Sequence, residues 1–241
     1  MSAMGTSRRG ESSRAWAEEL AQLAIALHDE PTVEETVDLV LRYSLKAVDC
    51  EYAGVTFVHG RKRVETAAAT DPLIEALDEV QMEVGEGPDM DVLSDRVSVL
   101  VSDTRADRRW PAWAARVATY GIRSMLSVRL YTSASTVGTL NLYDSRPDHF
   151  DVDDQAVAHL LARHAAVALA TARTTENLWQ AVDARKLVGQ AQGILMERYQ
   201  LTPDQAFAVL MRYSQDNNMK LRDVAERLVS SRELPGQPAS R

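Results

Sequence analysis

Apolar and polar positions near the carboxyl end of the chain follow a helical period. Between residues 185 and 229, apolar residues recur at steps of three and four, which is the spacing of one helix face. Thr202 and Gln205 predict a capping box around Pro203, and the Asn pair at 217–218 favours the left-handed conformation that ends helices. We therefore expect three amphipathic helices, which must pack on one another as a small bundle to cover their apolar faces.

The preceding part of the chain changes between helical and extended periods. Helical patterns cover residues 14–28, 33–48, 72–84 and 110–120, and extended patterns cover residues 52–58, 64–70, 97–101, 122–131 and 137–143. Gly85-Glu86-Gly87-Pro88 ends the third helix and opens a loop and turn. This order predicts an α+β fold, an antiparallel sheet with helices packed mainly on one face.

A long segment without helix breakers joins the two parts. Residues 153–199 contain no proline and, before Gly189, no glycine, which predicts one continuous helix. Alternating steps of three and four from Val157 to Leu195 select mainly apolar residues, and we expect this helix to pair with its copy in a homodimer. In the alternative, its first half covers the sheet, its second half belongs to the bundle, and it bends near Thr174.

Composition and charge narrow the class of protein. The formal charge of -8 argues against a surface wholly devoted to nucleic acid, but residues 173–241 hold 10 Lys and Arg against 8 Asp and Glu. The single cysteine, Cys50, excludes an intramolecular disulfide and a cysteine-based zinc site. The sequence has neither a signal peptide nor an apolar run of about 18 residues, so we expect a cytoplasmic protein without a membrane helix.

A distinctive order of residues runs through the three helices predicted at the carboxyl end. Its members are Ala191, Gly193, Ile194, Leu195, Met196, Ala206, Phe207, Leu210, Ser214, Asn218, Leu221, Asp223 and Ala225. This order resembles the ANTAR domain, the RNA-binding output module of bacterial transcription antitermination regulators. Gln192 stands where that family commonly has Lys, which removes a positive charge from a face that would meet phosphate.

Short motifs of the α+β part resemble a second family. They are Gly85-Glu86-Gly87-Pro88, Val101-Ser102-Asp103, Arg109-Trp110-Pro111, Gly121-Ile122-Arg123-Ser124 and Val137-Gly138-Thr139-Leu140-Asn141-Leu142-Tyr143. Together they resemble the GAF domain, a module that senses small molecules or other signals. The pairing of the two domains is similar to that of an actinobacterial type of regulator.

The ANTAR resemblance implies contact with RNA hairpin loops, and we expect basic side chains to make it. The candidates are Arg185, Lys186, Arg198, Arg212, Lys220 and Arg222, with Gln192 at the position that departs from the family. Arginine can pair with phosphate in a fork and stack on a base, while lysine supplies a compact charge. Each could instead be an ordinary solvated charge or the partner of a nearby carboxylate.

The GAF resemblance implies a pocket between sheet and helices, with Asp103, Arg123 and Ser124 as candidate polar lining residues. In the alternative, Asp103 follows a strand and caps the next turn. We expect no cofactor, no metal and no enzyme activity. Cys50 is not placed to hold a bilin chromophore, and the acidic residues near Asp151 suit the beginning of a helix better than a metal site.

The predicted organisation has five segments. They are a disordered leader (1–13), a GAF sensor domain (14–170), a helical linker or coiled coil (171–184), an ANTAR RNA-binding domain (185–231) and a disordered tail (232–241). The expected function is signal-responsive transcription antitermination, in which the GAF domain controls binding to RNA hairpins in nascent transcripts. Two alternatives stay open: a ligand-controlled repressor with a DNA-binding helix-turn-helix, and a GAF domain that serves only dimerisation or protein contacts.

Overall fold

The computed structural model describes residues 21–27, 30, 32–59, 63–94 and 96–231. The predicted leader and tail, the first part and the last residue of the helix predicted for residues 14–28, and residues 60–62 lie outside these ranges. The chain divides between Arg173 and Thr174 into two compact units, and each is described by itself. Among the described residues, no helix is both long and apolar enough to cross a membrane.

The first unit alternates helices and strands in the predicted order. After a helical segment at residues 21–27, the elements are α1 (Val33–Val48), β1 (Tyr52–His59), β2 (Arg63–Ala69), α2 (Pro72–Val84), α3 (Pro88–Ser94), β3 (Ser98–Val101), α4 (Pro111–Thr119), β4 (Ser124–Tyr131), β5 (Thr136–Asp144) and the beginning of α5 (Val152–Tyr199). The expected loop after Gly87 is wrong in part, because the chain forms α3 there. This helix has only seven residues, too few to show a helical period in the sequence.

The five strands form one antiparallel sheet in the order β2-β1-β5-β4-β3. Thr56 of β1 lies opposite Thr139 of β5, and Ser127 of β4 lies opposite Asn141 of β5. A Cβ built on Gly138 would lie 1.7 Å from the carbonyl oxygen of Thr56, so no larger residue fits at this point of the sheet. The register therefore brings four polar side chains onto the two central strand pairs.

Helices cover both faces of this sheet, whereas the sequence predicted them mainly on one. On one face, Leu126 and Leu140 pack with α1 and with the first turns of α5. On the other face, Met125 and Tyr143 pack with α2 and α4. Neighbouring residues of β4 are thus buried on opposite faces, and a strand buried on both faces does not show the simple alternation on which the one-sided prediction was based.

Helix α5 is continuous over 48 residues, which confirms the prediction of one unbroken helix. Its beginning is held by two reciprocal bonds of 2.9 Å, from the Asp154 amide to Asp151 Oδ1 and from the Asp151 amide to Asp154 Oδ2. The carboxylates satisfy amide groups at the amino end of the helix, where negative charge is favoured. Pairing of α5 with a second copy stays a prediction.

The second unit contains the rest of α5, then α6 (Pro203–Asp216) and α7 (Leu221–Ser231). The predicted capping box is present, since Thr202 Oγ1 accepts from the Gln205 amide and Gln205 Oε1 accepts from the Thr202 amide. Asn218 has the predicted left-handed conformation with φ of 50°. The fully buried side chains are Ala191, Leu195, Ala206, Leu210, Val224, Ala225 and Leu228, which form one apolar core.

Candidate functional site

A cavity of about 350 Å³ lies in the first unit, between the β1–β2 side of the sheet and helices α2 and α3. Its described polar lining residues are Thr56, Thr66, Asp78, Glu79, Gln81, Glu83 and Asp89, and its described apolar ones are Val64, Met82, Met90 and Leu93. The volume falls within the range of roughly 300–1,000 Å³ that is usual for small-molecule sites. The described lining contains four carboxyl groups and no Lys, Arg or His.

One buried polar group of this cavity is the carboxyl group of Asp89. Its Oδ2 accepts hydrogen bonds from Gln81 Nε2 at 3.2 Å and from Asn141 Nδ2 at 2.8 Å, and its Oδ1 lies 2.7 Å from Ser127 Oγ. The Asp89 amide in turn donates to Gln81 Oε1. Helix α3 thus positions the carboxyl group, and Ser127 and Asn141, which lie opposite each other in the sheet, form hydrogen bonds with it.

The number of hydrogens in this network determines the charge of Asp89. Ser127 Oγ lies 2.7 Å from both Asp89 Oδ1 and Asn141 Oδ1, and Asn141 Nδ2 lies near Asp89 Oδ2, so three contacts need three hydrogens. The hydroxyl supplies one and the amide supplies one, even if the amide oxygen and nitrogen are exchanged. The third hydrogen belongs to the carboxyl group. In agreement, burial raises the pKa of Asp89, and we assign it as neutral.

Asp78 is the second buried acid of the cavity and is less completely bonded. Thr66 Oγ1 donates to its Oδ2 at 2.7 Å, but Tyr143 Oη lies 3.4 Å from its Oδ1, beyond the usual 2.5–3.0 Å range for a hydroxyl donor. Burial raises the pKa of Asp78 to about 7. Asp78 is therefore the acid of this cavity that can change its charge near neutral pH.

The Gly85-Glu86-Gly87-Pro88 motif shapes the cavity wall between α2 and α3. Gly85 ends α2 in the left-handed conformation with φ of 71°. Gly87 has φ of 151°, and a Cβ there would lie 2.3 Å from Gln81 Oε1. This oxygen accepts the hydrogen bond from the Asp89 amide. Glu86 Oε1 accepts from the amides of Ala112 and Trp113 and so caps α4. The motif thus holds Gln81 and Asp89 together and ties α4 to the same turn.

The predicted polar lining residues lie elsewhere and bind other protein groups. Arg123 Nε and Nη2 lie 2.9 and 2.6 Å from the two carboxylate oxygens of Asp103, and these bonds lower the pKa of Asp103 to about 2. Asp103 Oδ1 also accepts from the Arg105 amide. Ser124 Oγ donates to the carbonyl group of Arg146. None of the three predicted residues is among the described residues that line the cavity, and their role in ligand binding stays a prediction.

Two other candidate chemistries of the sequence can be located. Cys50 is buried, which raises the pKa of its thiol to about 12 and leaves it uncharged. Within the described ranges, no group of three or more His, Cys, Asp or Glu side chains is arranged to hold a metal ion.

In the second unit, the basic side chains predicted to bind RNA lie outside the apolar core. All six cations, Arg185, Lys186, Arg198, Arg212, Lys220 and Arg222, are exposed, and Gln192 is half-buried. Gln192 Nε2 donates to the carbonyl group of Pro203 at 3.2 Å, so this side chain joins α5 to the beginning of α6. Contacts of these residues with RNA stay a prediction.

Two of these cations lie at the amino end of α7. The carbonyl group of Lys220 accepts from the amides of Asp223 and Val224, which makes Lys220 the residue that precedes the helix, and Arg222 follows in its first turn. Positive charge is unfavourable at this end of a helix, because the helix dipole already makes it positive. Asp223 offsets part of this charge. The position of the two cations favours the binding of an anion rather than the folding of α7.

The sequence prediction assigned no role to Gly189, or to Gly193 beyond its place in the family order. Both lie within α5 and are exposed, and a Cβ added at either would meet no atom within 4 Å beyond the backbone of its own helix. Packing in the unit therefore does not require glycine at either position, although each costs the helix about 1 kcal/mol relative to alanine. Lys186, Gly189 and Gly193 follow at steps of three and four and share one helix face. This face exposes bare backbone beside a cation.

Comparisons with solved structures bear on the fold of the first unit. The GAF domain of a phosphoenolpyruvate-protein phosphotransferase from Acinetobacter is 14% identical, with a TM-score of 0.53, and the match covers 67% of this chain and 96% of that one. The corresponding domain from Coxiella burnetii is 18% identical, with the same TM-score and the same coverage. At such identities the likeness concerns the fold alone. No curated protein sequence matches the chain.

Family comparisons cover both units. The sequence model of the ANTAR domain matches residues 176–229, which include the exposed cations and the apolar core of the second unit. The sequence model of the GAF domain matches residues 30–170, more than half of the chain, including the sheet and the cavity. The chain therefore belongs to the GAF domain family and carries an ANTAR domain after its GAF domain.

Proposed function

We propose that this protein is a signal-responsive, RNA-binding transcription antitermination regulator that acts in the cytoplasm and catalyses no reaction. The GAF domain receives the signal, and the ANTAR domain binds RNA hairpin loops in nascent transcripts, which disfavours a terminator hairpin. The observation that carries the proposal is the ANTAR match over a bundle whose cations are all exposed. Arg185, Lys186, Arg212, Lys220 and Arg222 have no ion pair with another described residue, so their charges are available to phosphate.

The test of RNA binding is fluorescence anisotropy with the full chain and a panel of labelled RNA hairpins, each compared with duplex DNA of the same sequence. We expect at least one hairpin loop to bind more than tenfold more tightly than its DNA duplex. The affinity should fall with salt, since phosphate contacts release counterions. Equal affinity for duplex DNA would instead support the helix-turn-helix alternative, and no binding to either would refute the proposal.

The basic side chains can be tested against a matched control on the same unit. Lys220→Ala and Arg222→Ala should each weaken RNA binding by about 1 kcal/mol or more and lower the salt slope by about 1. Arg227→Ala removes an equally exposed cation of α7 that is not among the candidates, and it should change neither quantity. Equal losses in all three variants would show a general effect of charge instead of a defined interface.

The glycine face of α5 allows a test in which stability and binding move in opposite directions. Gly193→Ala should raise the free energy of unfolding by about 0.5–1 kcal/mol, because alanine favours a helix and meets no atom there. If RNA approaches this backbone closely, the same methyl group should weaken RNA binding several-fold. Unchanged affinity in the stabilised variant would remove this face from the interface.

We propose further that α5 joins two copies of the protein. Leu178, Trp179 and Val182 are exposed by 64%, 65% and 46%, which is unusual for large apolar side chains on one short stretch of helix. A second copy would cover them. Leu195 is the last of the apolar positions predicted to pair with a second copy, but it is buried in the bundle core. The proposed contact between copies is therefore confined to the part of α5 that precedes this core.

Sedimentation of the full chain tests this association. We expect a dimer for the unmodified protein and a monomer for Leu178→Glu/Val182→Glu. Gln180→Glu adds a charge at an exposed position of the same segment and should leave the dimer intact. A monomeric unmodified protein would refute the association, and a dimer with no response to any GAF ligand would support a GAF domain used only for dimerisation.

A further inference from the structure

The GAF cavity combines buried acid with apolar walls, and its two buried acids differ in what they can offer a ligand. Every oxygen of Asp89 is already bonded to Ser127, Asn141 or Gln81, and its hydrogen count makes it neutral. Asp78 has one oxygen bonded to Thr66 and the other without a close donor. The side chain of Asp78 is only 8% exposed, yet it lines the cavity. A ligand that enters therefore meets one under-bonded acid.

The charge around this acid favours positive ligands. The described lining includes Glu79 and Glu83 in addition to the two aspartates, and it includes no cationic side chain. Glu83 is paired with Arg116, which leaves Glu79 as the uncompensated charge of the rim. A cavity wall of one sign attracts ions of the opposite sign and repels those of its own. Among the described lining residues, an anionic ligand such as a carboxylate or a phosphate would find no cationic partner.

The remaining walls favour an organic ligand over a bare ion. Val64, Met82, Met90 and Leu93 supply apolar surface, and methionine adapts its shape to apolar or aromatic bodies. A metal ion needs several oxygen ligands, and in the described part of the chain no group of acids is arranged to supply them.

We infer that the GAF cavity binds a small organic cation, an ammonium group on a compact apolar body, with Asp78 as the counter-ion and the methionine-lined walls around the body. This inference specifies the signal of the proposed function and rests on the input role of the cavity. An ammonium group supplies a close donor to Asp78 Oδ1, whose only described donor, Tyr143 Oη, lies 3.4 Å away, and it replaces the proton that this carboxyl group otherwise holds. Binding should therefore release a proton near neutral pH.

Isothermal titration calorimetry of the full chain at pH 6.5 can test the inference with three probes that share a body and differ in charge. The probes are 2-phenylethylammonium, 2-phenylethanol and 3-phenylpropanoate. We expect the cation to bind at least tenfold more tightly than the alcohol, and the anion to show no binding. Titration in two buffers of different ionisation enthalpy should show proton release for the cation. Binding of the anion as tight as that of the cation, or no binding of the cation, would overturn the inference.

Variants locate the site. Asp78→Asn should weaken binding of the ammonium probe at least tenfold and abolish proton release. The control is Glu75→Gln, which removes an exposed charge of the same helix outside the described lining, and it should change affinity less than threefold. Asp89, Tyr143 and Glu75 are the titratable groups that act on Asp78, so the Glu75 variant also measures its contribution to the proton release.

A second variant keeps the test decisive if Asp78→Asn does not fold. Met90→Trp fills the cavity and should prevent binding of the cation, and unchanged binding in either variant would overturn the inference. RNA binding is measured separately without any amine. Loss of RNA binding alone would refute the proposed function and leave the calorimetric result standing, and the reverse result would refute the ligand class alone.

Discussion

In the first unit, Thr56, Ser127, Thr139 and Asn141 lie fully buried on the central strands and face two buried aspartates, whereas every fully buried side chain of the described second unit is apolar. A buried polar group destabilises a fold unless it is bonded, so a network of this size needs a use or a full set of partners. The second unit carries its polar side chains outside. The two units therefore offer chemistry in opposite places: an interior site for a small molecule and an exterior face for a charged polymer.

The largest expected effect breaks the apolar interior of the second unit. Leu210→Ala should lower the free energy of unfolding by about 2–5 kcal/mol, because this side chain is completely buried where α6 meets the bundle core. Phe207→Ala, on the same helix and 41% exposed, should cost clearly less. Urea denaturation followed by circular dichroism measures both. A larger loss for Phe207 would mean that it has a partner beyond the described contacts.

The next effect tests the polar interior of the first unit. Asp89→Ala should cost about 2–3 kcal/mol, since Gln81, Ser127 and Asn141 lose a common partner inside the fold. Asp89→Asn should cost less than about 1 kcal/mol, because an amide can donate to Ser127 and accept from the other two, as a neutral carboxyl group does. Denaturant unfolding of the two variants compares them. An asparagine as damaging as alanine would show that Asp89 is ionised.

A smaller effect is the pH dependence of stability that Asp78, and not Asp89, should contribute near neutral pH. The pKa of Asp78 rises from its ordinary 3.8 to about 7 on folding, so the folded state holds a proton that the unfolded state releases between these values. Its contribution to stability is therefore present at low pH and is lost as the pH rises from about 4 to 7. Asp78→Asn should gain stability relative to the unmodified protein as the pH rises through this window, because the amide has no proton to lose.

Thermal unfolding of the unmodified protein and of the Asp78→Asn variant, each at pH 5 and pH 8, measures this difference. The Glu75→Gln variant, which alters an exposed carboxylate, should follow the unmodified protein at both values. An Asp78→Asn variant that loses stability on going from pH 5 to pH 8 as steeply as the unmodified protein would show that Asp78 is not the titrating group.

The smallest effect concerns a local bond on the outside of the second unit. Thr202→Ala removes the side-chain half of the capping box and should cost about 1 kcal/mol, while Thr202→Ser keeps the hydroxyl group and should cost less. Chemical denaturation distinguishes the two variants. Equal losses would show that the methyl group, and not the hydroxyl group, stabilises the beginning of α6.

The sequence predicted the elements well where local chemistry decides them. The period of the apolar residues, the capping box at Thr202 and the left-handed Asn218 are all determined within a few neighbouring residues, and the structure shows each of them. The short helix α3 and the second covered face of the sheet were missed. A helix of seven residues shows no period, and a strand buried on both faces shows no alternation.

The candidate sites differ in the same way. The exposed cations of the second unit were predicted from residue type and family resemblance, and the structure places them outside the core. The buried acids of the GAF cavity were not predicted, because in the sequence Asp78 resembles an ordinary surface acid of a helix and Asp89 an ordinary acid of a loop. The only sequence feature that could have indicated the buried acids was the glycine motif between them. Gly87 leaves no room for a side chain beside Gln81, which is a sign that backbone and polar groups approach closely there.

The sequence by itself determined the order of the five strands and of the helices other than α3, the continuous α5, and the family resemblance of each part. Periodicity, caps and motifs determine these features because they act over short distances along the chain. Only the tertiary structure decided which polar residues meet. Asp89 lies 38 residues from Ser127 and 52 from Asn141. Strand register places Ser127 opposite Asn141, and the packing of α3 on the sheet brings Asp89 within hydrogen-bonding distance of both. Packing of distant segments likewise pairs Arg123 with Asp103 and leaves Asp78 facing a cavity, and such contacts do not follow from local preference.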